Sequence, residues 1–257
     1  MKITQNNQFT TINLDSKMEL FQLLKRSQFI GYGKTSYCFK LPNGLLLKIY
    51  RQTNKRNELF NQFDMKEHIL NLSTLNNDTF IAPKGIILYQ KGVLGYLMDY
   101  KRAHTVEKIS LDTKVESLMT HIEKLIEDTY LISSKNFLLG DVHNRNILFN
   151  GYYYVIDLDF GLFESSKKDL RAWNSTKILK TILETIFKVK DDQLLIIDNI
   201  ELFNLYNATI YRDYKKIYEF FEAYKNLLNT NHLNIRKLQR SFTFHKERNT
   251  YYKYDYD

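Results

Sequence analysis

Five short stretches of this chain carry residue types that could handle a phosphate and a hard cation. Gly31-Tyr32-Gly33-Lys34-Thr35-Ser36 lies between two extended runs. Glycines there would let backbone N–H groups approach phosphate oxygens closely, although a tight structural turn uses two glycines just as well. Lys48 is the only charge in Leu45-Leu46-Leu47-Lys48-Ile49-Tyr50. An ammonium buried in such a strand is costly unless paired, and a phosphate together with a carboxylate would pair it. An edge strand turning Lys48 to water is the plain alternative.

Glu67 follows Phe63 by four residues and precedes Leu70 by three, so helical spacing places it on the same apolar stripe as those two. A carboxylate in that position asks for a cation, unless it sits at the stripe's boundary. Glu58 falls on the polar side and reads as a surface charge. Lys48 and Glu67 are therefore expected to pair, within about 4 Å when the helix packs inward.

The remaining two stretches are Leu139-Gly140-Asp141-Val142-His143-Asn144-Arg145-Asn146-Ile147-Leu148 and Val155-Ile156-Asp157-Leu158-Asp159-Phe160-Gly161. Asp141, Asn146 and Asp157 are oxygen donors bracketing a short hairpin, the ligand type that Mg²⁺ shares with phosphate oxygens. Polar loops capping strand ends would explain any one of them and explain the ordered set poorly. If Asn150-Gly151 makes the hairpin turn, Val155 points inward and Asp157 ends the strand.

These residues need elements to hold them. Gln28–Leu41 reads as extended, Pro42-Asn43-Gly44 as a turn, and Leu45–Tyr50 as a strand. Asn57–Leu75 has helical spacing, with Leu59, Phe60, Phe63 and Leu70 on one stripe. Gly85–Tyr89 and Val93–Asp99 form a hairpin about Lys91-Gly92. Val115, Leu118, Met119, Ile122, Leu125 and Ile126 mark a long amphipathic helix, and helices return over Leu170–Phe187 and around Ile200–Leu228. Strand-rich then helix-rich predicts an α+β chain with a boundary near Tyr100.

The order of glycine loop, strand Lys, helix Glu, Asp-x4-Asn and strand-ending Asp resembles the protein-kinase-like superfamily over about Phe29–Gly161. Gly140-Asp141-Val142-His143-x-x-Asn146 is most similar to its small-molecule branch, which includes aminoglycoside and choline kinases. The resemblance implies a single two-lobed domain over residues 1–257, with a sheet-based lobe at 1–100 and a mostly helical lobe at 101–257. It implies ATP and Mg²⁺ as cofactors. Gly31 and Gly33 would cover the triphosphate, and Lys48, positioned by Glu67, would hold its α- and β-phosphates. Asp141 would orient the acceptor hydroxyl and accept its proton, while Asn146 and Asp157 would hold the metal; Asp159-Phe160-Gly161 spells the family's metal motif literally, but the Asn150-Gly151 turn favours Asp157 as the main ligand with Asp159 assisting. Met98-Asp99-Tyr100-Lys101 resembles the hinge, where the backbone of Asp99 and Lys101 would meet adenine. Leu139 stands where protein kinases usually carry His, Ser36 replaces a third glycine, and no Ala-Pro-Glu follows Gly161. A standard regulated protein kinase is thus disfavoured.

The chain has 257 residues, 44% of them apolar and 26% charged, an ordinary globular composition. One cysteine, Cys38, offers neither an internal disulfide nor a cysteine metal framework. Residues Met1–Asp15 lack a signal-peptide core and no apolar run spans a bilayer, so a cytoplasmic protein without a membrane partner is expected. The net charge of +8 would suit a nucleotide or a nucleic acid, or merely a well-solvated surface. Lys167, Lys168, Arg171, Lys177 and Lys180 read chiefly as a solvated helix face, with attraction of an acidic acceptor the alternative. The expected activity is transfer of the γ-phosphate of Mg-ATP to a hydroxyl, with a small-molecule acceptor favoured. The alternatives are an atypical Ser/Thr protein kinase and a catalytically inactive nucleotide-binding scaffold.

Overall fold

The protein is described here by a computed structural model covering residues 1–6, 9–52, 57, 60–61, 63–164, 169–188 and 199–240. Glu58, Leu59, Lys167 and Lys168 lie outside the described residues. The chain is a mixed α+β protein dividing into two units: Met1–Arg102 with Ile156–Phe160, and Ala103–Val155 with Gly161–Asp257. The expected boundary near Tyr100 omits the five residues Ile156–Phe160, which belong with the first unit.

The first unit is built on a seven-stranded sheet. Its strands are β1 (Lys2–Asn6), β2 (Phe9–Leu14), β3 (Gln28–Tyr32), β4 (Ser36–Lys40), β5 (Leu45–Tyr50), β6 (Pro83–Tyr89) and β7 (Gly92–Asp99). Their spatial order is β1-β2-β6-β7-β5-β4-β3, antiparallel throughout except for the parallel pair β2–β6. The β6–β7 turn sits one residue earlier than the Lys91-Gly92 reading: Gln90 and Lys91 hold φ of 49° and 69°, which matches the right-handed twist of a two-residue hairpin.

Period-two alternation gives β5 two buried faces. Leu47 and Ile49 join Ile12, Leu14, Leu41, Ile87 and Leu97 in a core cluster, against which Leu20, Leu23 and Leu24 of α1 (Lys17–Lys25) pack. Lys48 and Tyr50 alternate to the other face and are themselves buried. The strand lies between β4 and β7, with Lys48 in register with Cys38 and Tyr96. The edge-strand alternative for Lys48 is therefore excluded.

Helix α2 (Met65–Ser73) packs on β6 and β7. It starts at Met65 because the Asp64 side chain accepts from the N–H groups of Lys66 and Glu67, at 3.0 and 3.2 Å. Phe63, just before the cap, stacks on His68 with centroids 4.1 Å apart, a staple across the first turn. That entry buries Met65, His68, Ile69 and Leu72 and leaves Glu67 and Leu70 exposed. The stripe expected through Phe63, Glu67 and Leu70 is thus wrong in register.

The second unit contains β8 (His104–Thr105), α3 (Val115–Met119), α4 (Ile122–Ser134), β9 (Phe137–Leu138), β10 (Ile147–Phe149), β11 (Tyr153–Val155), β12 (Leu162–Phe163), α5 (Leu170–Phe187), α6 (Ile200–Tyr211) and α7 (Lys216–Leu227). The single helix expected from Val115 breaks into α3 and α4, and the helical stretch expected around Ile200–Leu228 holds α6 and α7. All six apolar positions named for the first of these are buried. Hairpin β10–β11 pairs Ile147 with Val155 and Phe149 with Tyr153, so Val155 points inward as read from the turn.

Candidate functional site

In the first unit, a cluster forms around Lys48, whose ammonium sits in an otherwise apolar strand. Its Nζ donates to Asp159 Oδ2 at 2.7 Å, to Tyr96 Oη at 3.2 Å, and to Asp157 Oδ1. Asp159 is 1% exposed and has both oxygens engaged: Tyr96 donates to Oδ1 at 2.7 Å, and Tyr50 joins Lys48 at Oδ2 at 3.0 Å. From α2, His68 Nε2 donates to the Asp159 backbone carbonyl at 2.8 Å. Three elements, β5, β7 and α2, thus converge on one aspartate.

The electrostatics follow from this packing. Burial works against the Lys48 charge, but Asp157 and Asp159 outweigh it and hold the ammonium pKa well above the usual lysine value. Burial likewise opposes the Asp159 carboxylate, and Lys48 with the two tyrosines keeps its pKa below the ordinary one. Burial beside this carboxylate drives the Tyr50 and Tyr96 hydroxyls well up. Burial lowers the His68 pKa, against the pull of the Asp159 backbone.

Asp157 is set differently from Asp159. Its side chain is 29% exposed and its backbone takes φ 65°, an uncommon left-handed conformation for a non-glycine residue.

The expected partner of Lys48 is not where the helical spacing placed it. Glu67 is exposed at the third position of α2, beside the Asp64 cap. Asp64-x-x-Glu67 has the form of a capping box, and a carboxylate in a first turn is accounted for by the helix dipole alone. That local signal, legible in the sequence, is the one the stripe reading passed over.

Gly31 lies in β3 and Gly33 in the turn after it. A Cβ at either would meet no atom within 4 Å, and neither has a positive φ, so the fold itself does not demand glycine there. The turn is braced by Gly33 N to Ser36 O at 2.8 Å and by Arg51, whose Nη1 donates to Gly33 O at 3.0 Å. Gly95 is a glycine the sheet does require, as is Gly85, where a Cβ would lie 2.4 Å from the Thr10 carbonyl oxygen. A Cβ at Gly95 would lie 2.0 Å from the Lys48 carbonyl oxygen, so only hydrogen lets β7 pass this point of β5. Asp99 ends β7, where Lys84 pairs with it at 2.8 Å, and Lys101 follows in the same unit.

The second unit holds Asp141 and Asn146 together in one turn. Asn146 is buried, and its Nδ2 donates to the Asp141 carbonyl at 2.9 Å while its own N–H reaches His143 O at 2.9 Å. The Asp141 side chain is 52% exposed, with His143 Nε2 at 3.7 Å from Oδ2. The N–H of Arg145 donates to His143 Nδ1 at 3.2 Å, which leaves the ring proton on Nε2, facing Asp141.

Two residues, Asn174, which the sequence reading missed, and Lys177, which it placed otherwise, anchor the strand leading into this turn. Asn174 of α5 is fully buried; its Oδ1 accepts from Leu139 N at 2.9 Å and its Nδ2 donates to Phe137 O at 2.8 Å. Lys177, one turn later, donates to the carbonyls of Leu139 at 2.8 Å and Gly140 at 3.3 Å. Lys177 therefore does not belong to the solvated face expected for it. An Asn three residues before a Lys on an apolar helix was the available hint.

Mg²⁺ bound with a nucleotide takes one or two protein oxygens and draws the rest from phosphates and water. Among the described residues no group of three or more His, Cys, Asp or Glu forms a metal cage. The half-open Asp157 carboxylate suits that sparse requirement, and so does the Asn146 amide, whose nitrogen is spent on the Asp141 carbonyl. Asp159 suits it less than Asp157, being buried with both its oxygens already accepting hydrogen bonds. No helix is long and apolar enough to cross a membrane among the described residues. No protein-family model matches the chain, and no curated protein matches it.

Proposed function

We propose that this chain is an ATP-dependent phosphotransferase of the two-lobed protein-kinase-like architecture, moving the γ-phosphate of Mg-ATP to a hydroxyl, with a small-molecule acceptor favoured. The observation that carries the reading is the buried ammonium of Lys48, held charged by Asp157 and Asp159 in the first unit. A cation so costly to bury, beside one half-open carboxylate, suits a polyphosphate and its metal.

The roles divide by unit. In the first, Lys48 neutralises phosphate charge, Asp157 is the metal-facing carboxylate, and the open backbone at Gly31 and Gly33 leaves room for phosphate oxygens. The backbone of Asp99 and Lys101 receives the base. In the second, Asp141 orients the acceptor hydroxyl and takes its proton, and Asn146 fixes the Asp141 backbone while its oxygen serves the metal. When bound, Mg²⁺ supplies charge neutralisation at the β- and γ-phosphates. Phosphoryl transfer has a largely dissociative transition state, so positioning of this kind supplies most of the catalysis.

The decisive test is calorimetry with Mg-ATP, joined to an ATP-consumption screen against alcohol metabolites, aminoglycosides and generic protein substrates. The parent binds, Lys48→Ala binds at least tenfold more weakly, and an alcohol or aminoglycoside is consumed. Consumption only with a protein acceptor moves the assignment to an atypical Ser/Thr kinase. Equal affinity in parent and variant removes Lys48 from the site.

A further inference from the structure

Resting on that reading, we infer that Asp159, locked by the Tyr50 and Tyr96 hydroxyls, is the residue that positions Lys48, and that the α2 carboxylate Glu67 takes no part. Lys48 of β5 and Tyr96 of β7 are cross-strand neighbours, so their side chains leave the sheet on one face. Tyr50 is two residues further along β5 and shares that face. The three polar heads meet one carboxylate: Lys48 and Tyr50 at Oδ2, Tyr96 at Oδ1. Tyr96 closes the set by also accepting from Lys48 Nζ at 3.2 Å.

Each partner is restrained independently. Tyr50 and Tyr96 are rigid rings buried in interior strands, and Asp159 is held through its backbone by His68. His68 is fixed in turn by its stack on Phe63. The contribution of α2 to the cluster is this imidazole contact to a carbonyl, while Glu67, the residue before it, is turned to solvent.

Two consequences follow. The orientation of Lys48 is built into the sheet and the 157–160 segment, so it does not await the arrival of a carboxylate on a moving helix. The two carboxylates also have separate tasks. Asp159, buried with both oxygens accepting hydrogen bonds, holds the ammonium, whereas Asp157, half-open, would be the carboxylate available to a metal.

The test needs a readout of Lys48 that does not depend on nucleotide. In nucleotide-free protein carrying ¹⁵N-labelled lysine, the Lys48 ammonium should give a slowly exchanging NMR signal, assigned by its loss in Lys48→Met. Asp159→Asn should abolish or strongly broaden that signal, Tyr96→Phe should broaden it, and Glu67→Gln should leave it as in the parent. Tyr96→Phe keeps the ring and removes only the hydroxyl, so it carries the test if Asp159→Asn does not fold. Mg-ATP affinity should fall roughly ten- to a hundredfold in Asp159→Asn, the usual range for losing a hydrogen bond to a charged group, and should hold within about twofold in Glu67→Gln. A Lys48 signal indifferent to Asp159→Asn and Tyr96→Phe overturns the proposal, as does one lost in Glu67→Gln. Failure of the parent to bind Mg-ATP, with the NMR pattern as expected, overturns the phosphotransferase reading and leaves Asp159 as the holder of Lys48.

Discussion

The two units hold their chemically interesting aspartates in opposite ways. Asp159, in the first, is buried, has both oxygens hydrogen-bonded and is tied to a cation. Asp141, in the second, has an exposed carboxylate, and the structure spends its bonds on the backbone around it instead. A group that must hold a fixed charge is best placed in a dry, over-determined network. A group that must give and take protons needs a free carboxylate on a rigid support.

The contrast predicts crossed effects, and the largest test it. Lys48→Ala leaves the Asp159 carboxylate buried without its counter-ion and should cost about 3–5 kcal/mol of stability, read as a lowered denaturation midpoint. Asp141→Asn removes nothing from the core and should change stability by less than about 0.5 kcal/mol. Its turnover, once an acceptor is known, should fall about 10²- to 10⁴-fold with Mg-ATP affinity unchanged. Reversal of that pattern, with Asp141 stabilising and Lys48 dispensable to the fold, would break the comparison.

A smaller effect is expected at the support of the Asp141 turn. Asn174→Ala strips partners from the buried Leu139 N–H and Phe137 carbonyl and should cost about 1–3 kcal/mol. Because these atoms lead directly into Gly140 and Asp141, turnover should fall further than the stability loss explains at temperatures where the variant remains folded. Parent-like turnover in folded Asn174→Ala would mean that the turn holds itself.

Some of this was legible from residue order alone. An isolated Lys in an apolar run and an Asn-Gly turn that directs Val155 inward follow from local pattern, and Asp-x4-Asn was legible through its resemblance to a known motif. The partner of Lys48 did not. Strand pairing brings Tyr96 to Lys48 across 48 residues, and Asp159 arrives from 111 residues away. No local pattern encodes either contact. Glu67 was misplaced because stripe spacing was preferred to the cap at Asp64, and the cap sets where a helix begins. Gly95 was overlooked for a related reason: a glycine inside a strand is informative only once its neighbour across the sheet is known.

The smallest expected effect concerns pH, and it tests whether α2 holds the cluster through His68. Burial lowers the His68 pKa in the fold, so the imidazole is neutral there and donates from Nε2 to the Asp159 carbonyl. In the unfolded chain the same group titrates near its usual 6.5. Between the two values the unfolded state binds more protons, so stability rises with pH over that interval. His68 therefore contributes fully above about pH 6.5, and its contribution is lost as pH falls through that value toward the folded pKa, at no more than about 1.4 kcal/mol per pH unit for one proton. Asp159 and Lys48 do not blur this window. The lowered Asp159 pKa acts below the ordinary carboxylate range, and the raised Lys48 pKa acts above the ordinary lysine range. Urea midpoints measured at pH 7.5 and 5.5 should show the parent losing stability on acidification. His68→Gln has an amide nitrogen able to reach the same carbonyl and no proton to gain, so it should lose markedly less. An equal loss in both proteins would place the acid sensitivity elsewhere and leave the His68 contact as packing alone.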